Sequence, residues 1–118
     1  MYFGGAYSHA VLKTPTRGDF RTQTVHGAST VNACAHACAG SALRAAGDAV
    51  MRALHAVFPL LPPPLQARVD LVRDPQSPPD APRYWLMELE AIEPCLYMQQ
   101  SDGRGPANFL HALRQYDK

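Results

Sequence analysis

A chain of 118 residues, 47% hydrophobic and 18% charged, has apolar material for one core and too little length for two domains. Its 11 basic and 10 acidic residues give a formal charge of +1, without the basic excess expected of a nucleic-acid binder. No apolar run approaches the roughly 18 residues of a membrane span, and Met1 to Gly5 lacks the basic start and apolar run of a secretion signal. The expected compartment is therefore the cytoplasm, with neither nucleic acid nor membrane as partner. Three cysteines at irregular spacing, Cys34, Cys38 and Cys95, fit reduced thiols better than a disulfide framework.

The first expected element is a strand over Tyr7–Lys13, closed by Pro15 and a turn at Arg17-Gly18. A second strand is expected over Asp19–His26, where Thr and Val are frequent, pairing back on the first. Residues 29–40 are small and weakly periodic and read as a connector. From Ser41, the residues Leu43, Ala46, Val50, Leu54 and Val57 recur at three- and four-residue steps, the spacing of one helix face. Arg44, Asp48 and Arg52 share another face. Ser41 is the expected N-cap, and Pro59 stops the helix at Phe58. A stiff connector through Pro62–Pro64 leads to a strand over Ala67–Arg73. A proline-rich loop over 74–83 precedes a further strand, Tyr84–Glu90, with Trp85 expected in the core. Gly105-Pro106 opens a last helix with Phe109, Leu110, Leu113 and Tyr116 inward. The expected fold is α+β: one domain over 1–118, an antiparallel sheet of about four strands covered by two helices.

Residues two apart on a strand share a face. Arg68 and Asp70 therefore lie together, as do Glu88 and Glu90, while Met87 and Leu89 point away. If the two strands pair with Asp70 near Glu88, three carboxylates and one guanidinium meet in one patch. The intervening loop does not fix that register. Carboxylates so gathered would repel one another unless a hard cation sat among them, and Mg2+ suits such oxygen ligands. The alternative is a solvated polar face of an antiparallel sheet.

Four segments follow one another in a telling order: Tyr2–Lys13 (YFGGAYSHAVLK), Gly18–Gln23 (GDFRTQ), Ala67–Asp74 (ARVDLVRD) and Leu86–Pro94 (LMELEAIEP). In this order they resemble ATP-grasp ligases, especially the bacterial branch with the cyclo-ligase of cycloserine biosynthesis and glutathione-synthetase-like proteins. The resemblance implies the C-terminal subdomain of an ATP-grasp fold, with ATP and Mg2+ as cofactors. It implies Asp70, Glu88 and Glu90 as metal ligands, and Arg68 and Arg21 in catalytic contact with the transferring phosphoryl group. Lys13, Arg21 and Arg68 would be the nucleotide-binding residues. The implied chemistry is activation of a small-molecule carboxylate to an acyl phosphate, followed by attack of an amine or related nucleophile.

The chain departs from the family pattern in having His26-Gly27-Ala28 for His-Gly-Gly, Ala6 after Gly-Gly and Cys95 after Glu93-Pro94. The family's preceding half, which holds the adenine, would fall before Met1. Turnover is therefore expected only with a separate N-terminal half. The alternative is a non-catalytic remnant or interaction module that self-associates. Among other possible sites, Cys34, His36 and Cys38 lack a fourth zinc ligand, and no base partners Cys95, which reads as a packed thiol. His9, His26, His55 and His111 are scattered, and His9 alone lies in a family-like motif.

Overall fold

The computed structural model describes residues 1–19, 27–33 and 40–116. Within them run strands β1 (Tyr2–Phe3), β2 (Ala6–Tyr7), β3 (Val11–Thr14) and β4 (Ser29–Asn32), then helix α1 (Ser41–Val57). Strands β5 (Gln66–Arg73) and β6 (Tyr84–Glu90), a 3-10 turn at Met98–Gln100 and helix α2 (Arg104–Tyr116) complete the order. One antiparallel sheet has four strands in the order β2-β1-β5-β6, and β3 and β4 form a separate two-stranded ribbon. The class is α+β, with a four-stranded antiparallel sheet and two helices.

The membership of that sheet differs from the expectation. The first strand breaks at Ser8–Ala10 into β2 and β3, because Ser8 and His9 turn inward and are buried. Gly4 and Gly5, at φ 56° and 81°, let β1 fold back on β2 in the tight turn that only glycine enters without strain. The turn at Arg17-Gly18 is present and closes with Asp19 N–H donating to the Thr16 carbonyl at 2.9 Å. Asp19 is in no strand, and the rest of the expected second strand, 20–26, lies outside the described residues. The partner of β3 is instead Ser29–Asn32, part of the presumed connector. A strand of four residues carries too little pattern to be read locally, and cross-strand pairing specifies it.

The two helices pack on opposite faces of the sheet. Tyr2 and Phe3 are consecutive on β1 and so point to opposite sides. Tyr2 packs with Ala67 of β5 and Met51 of α1, joined by Val69, Leu54 and Leu89. Phe3 packs with Ala112 and Phe109 of α2 and with Leu96 and Met98 of the loop before it. The α1 face is centred on Gly47 and Met51, flanked by half-buried Leu43, Val50 and Leu54, while Val57 is exposed. In α2 the buried positions are Gly105 and Ala112, with Phe109 half-buried; Leu110, Leu113 and Tyr116, expected inward, are exposed. The close approach of Phe3 and Gly4 selects the small Ala112 over its larger neighbours.

The helix ends are also set differently. Gly40 is the N-cap of α1, making Ser41 its first helical residue, and Phe58 caps the other end as expected. Arg44 and Asp48, on one face as expected, form an ion pair at 3.6 Å. For α2, buried Ser101 takes the Gly105 N–H on its hydroxyl at 2.9 Å and the Arg104 N–H on its carbonyl at 3.1 Å. These bonds satisfy donors that a helix start leaves open. Among the described residues no helix is long and apolar enough to cross a membrane.

Candidate functional site

The site is built on β5 and β6, and its geometry depends on one extra residue. At the outer end of the hairpin Arg73 faces Tyr84, Val72 faces Trp85 and Leu71 faces Leu86. Past a register shift, Asp70 faces Glu88, Val69 faces Leu89 and Arg68 faces Glu90. Met87 is therefore the unopposed residue of a bulge. Without it Asp70 would face Met87, and both glutamates would turn to the opposite side of the sheet. With it Arg68, Asp70, Glu88 and Glu90 share one face, the condition set by the sequence pattern.

The same bulge overturns the expectation for Trp85. Simple alternation sends Trp85 away from the glutamates, but across the bulge it joins the face of Asp70 and Val72 and is 61% exposed. Met87 is also exposed, and only Leu89 reaches the apolar cluster. The outer register is held by Asp74. Its N–H donates to the Arg83 carbonyl at 2.9 Å, and its carboxylate accepts from Arg83 Nη2 and from Gln76 N–H, each at 2.9 Å. These bonds close the proline-rich loop.

Arg68 is the hub. Its Nε donates to Asp70 Oδ1 at 2.9 Å and its Nη2 to Glu88 Oε2 at 2.7 Å, while Nη1 contacts Glu90 Oε2. Lys13, from β3, pairs with Asp70 Oδ2 across the space between the ribbon and the sheet. Two cations thus stand among three carboxylates. Burial works against the Arg68 charge, but Asp70, Glu88 and Glu90 outweigh it and hold the guanidinium above its ordinary range. Glu88 is more than half exposed. Glu90 Oε2 is buried and, although it touches Arg68, makes no hydrogen bond.

The ribbon's alternation aims it at this cluster. Val11, Lys13, Thr30 and Asn32 are half-buried, and their neighbours Leu12, Thr14, Ser29 and Val31 are exposed. Lys13 sits opposite Thr30, so the two side chains share the inner face. Tyr97 was not singled out by the sequence. It adopts a left-handed φ of 47°, as do Glu93 at 52° and Asp102 at 51° in the same loop. Burial pushes the Tyr97 phenol up, with nearby Cys95 adding to the shift and Arg68 opposing it. Such backbone conformations are uncommon for side chains of this size. Cys95 is exposed and not packed as expected.

Of the expected site residues, the fold brings together Lys13, Arg68, Asp70, Glu88 and Glu90. Arg21 lies outside the described residues, as do His26, Cys34, His36 and Cys38. The three carboxylates gather on Arg68 and not on one another, and among the described residues no group of three or more His, Cys, Asp or Glu is placed to share an ion. The donor set nonetheless suits Mg2+: all the donors are oxygens, Asp70 and Glu88 are directly opposite, and one or two carboxylates suffice for that ion.

A wide concavity lies elsewhere. It is a groove of about 1040 Å³ between α1, the proline connector and Ile92, with Met51, Leu54, Phe58 and Leu61 in its wall and none of the five charged residues. Comparison of the chain with protein-family models, with curated proteins and with solved structures gives no match.

Proposed function

We propose that this chain is the Mg2+- and phosphate-holding half of an ATP-grasp-type ligase, completed by the half that holds the adenine. The observation that carries the reading is the bulged register of β5 and β6, which collects Arg68, Asp70, Glu88 and Glu90 on one face beneath Lys13. Asp70, Glu88 and Glu90 would hold Mg2+, with Glu88 and Glu90 turning from Arg68 to do so. Bound there, the ion would neutralise charge on the nucleotide phosphates. Arg68, released from part of its carboxylate load, would then meet the transferring phosphoryl oxygens with a planar, multiply donating group. Lys13 and Arg21 would hold further phosphate oxygens. The substrate would be a small carboxylate, activated as an acyl phosphate and taken by an amine or related nucleophile.

The test is calorimetric titration of Mg-ATP into the chain, beside an Asp70→Asn, Glu88→Gln, Glu90→Gln variant. Binding is expected for the first and not for the second. A folded wild-type chain that takes up no Mg-ATP would falsify the reading for this polypeptide alone.

A second reading has its own support. Leu60, Trp85, Met87 and Ile92 are between 61% and 96% exposed, and apolar surface of this kind marks interaction sites. On that reading the chain is a non-catalytic module that associates with itself or a partner, and nucleotide changes nothing.

A further inference from the structure

We infer that Thr30 is a further binding residue of the charged site, donating its hydroxyl to an anionic phosphoryl oxygen held beside Lys13. The inference rests on the nucleotide reading above and extends it to the β3–β4 ribbon. Three observations carry it. Thr30 is directly opposite Lys13 in the ribbon, so both side chains leave the same face. That face is turned toward the sheet, because Lys13 reaches Asp70 from it and because Leu12 and Val31 on the other face are exposed. The Thr30 Oγ1 atom is buried there and has no hydrogen-bond partner among the described residues.

A buried hydroxyl left unpaired is costly and uncommon. Among the described residues the other buried side-chain oxygen or nitrogen without a hydrogen bond is Glu90 Oε2, which the Arg68 ion pair holds, so Thr30 Oγ1 alone of the two has no polar partner. Both belong to this one site: Glu90 touches Arg68, and Thr30 stands next to Lys13, which reaches the carboxylate that Arg68 also holds. Their chemistry is complementary. A carboxylate oxygen accepts or coordinates, a hydroxyl donates, and a Mg2+–phosphate pair presents one partner for each. A valine of the same shape would pack in the ribbon equally well, so strand formation does not account for the hydroxyl.

The decisive comparison is between Thr30→Val and Thr30→Ser, titrated with Mg-ATP beside the wild type, with thermal unfolding of each in the absence of nucleotide. The valine variant is expected to bind roughly tenfold more weakly, the worth of one hydrogen bond to a charged oxygen. Without nucleotide it should unfold at the same temperature as the wild type or higher, because an unpaired buried group has been removed. The serine variant is expected to keep wild-type affinity within about threefold. Equal affinity of the valine variant and the wild type overturns the inference and leaves the nucleotide reading intact. Loss of folding or a clear drop in unfolding temperature for Thr30→Val also overturns it, since the hydroxyl then has a structural partner. If the wild type itself binds no Mg-ATP, the nucleotide reading fails and Thr30 loses its role with it.

Discussion

His9 illustrates how one buried side chain ties distant parts of the chain together. It is 1% exposed. Its Nε2 lies 3.0 Å from the Leu96 carbonyl, which can only accept, so Nε2 carries the proton and Nδ1 accepts from the Ser8 hydroxyl at 2.9 Å. Ser8 Oγ in turn accepts from Asn108 of α2 at 3.1 Å. A second proton on the ring would turn Nδ1 into a donor facing a hydroxyl that already donates to it. Burial lowers the His9 pKa below its ordinary value of 6.5, and the cationic Met1 ammonium and Arg104 push the same way against the Leu96 hydrogen bond. The unfolded chain therefore binds this proton more readily, and stability rises with pH through the window. In urea unfolding the His9 contribution should be constant above the ordinary value and decline as the pH falls below it. A His9→Gln variant should be less stable overall but show a flatter slope; an unchanged slope would place the effect in another group. The sequence could nominate His9 for its motif. It held no sign of the Leu96 carbonyl 87 positions further along, or of Asn108, which reaches Ser8 across 100 positions.

Elements were legible where a long pattern met a strong stop. Helix α1 ends before Pro59, and β6 begins and ends at the expected residues, because seven or more positions vote together in each. The β4 strand was not, being short and specified by its partner. The bulge at Met87 had no local signal either, yet it decides which face Glu88 and Glu90 take. The expected meeting of Asp70 and Glu88 therefore occurs through a device that the pattern did not contain, and Trp85 was misassigned for the same reason. Gly47 is another element-level constraint hidden in the sequence. In a helix interior a change from Gly to Ala normally stabilises by about 1 kcal/mol. Here an added Cβ would lie 2.4 Å from the Tyr2 hydroxyl and 3.3 Å from its ring. Tyr2 is buried and donates to Asp48 at 2.9 Å, an arrangement that together with burial raises its pKa. The ring cannot retreat without losing both that bond and its packing on Met51 and Ala67. Gly47→Ala should therefore destabilise by about 1–3 kcal/mol in denaturant unfolding. Combined with Tyr2→Phe, which removes the obstructing oxygen, the same change should cost clearly less; strict additivity of the two would show that the contact is not the cause.

At the level of the whole molecule, the charged face and the apolar surface divide the two functional readings between them. The charged face has its two cations and three carboxylates paired with one another in place. The apolar surface runs from Phe58, Leu60 and Leu61 at the end of α1 to Ile92, and separately along β6 through Trp85, Leu86 and Met87. Among the described residues strand β6 is also an edge of the four-stranded sheet, the kind of strand that can add another. Seven residues of edge strand with exposed Trp and Met form a surface that natural proteins usually blunt with charge. The isolated chain is therefore expected to associate in sedimentation velocity at tens of micromolar. A Trp85→Lys, Met87→Lys double variant should sediment as a monomer at the same concentration, since lysine on an edge opposes strand addition. Trp85 lies on the face of Asp70 and Met87 forms the bulge, so this double variant reports on association alone. Association that persists in the lysine variant would move the contact to the groove beside α1.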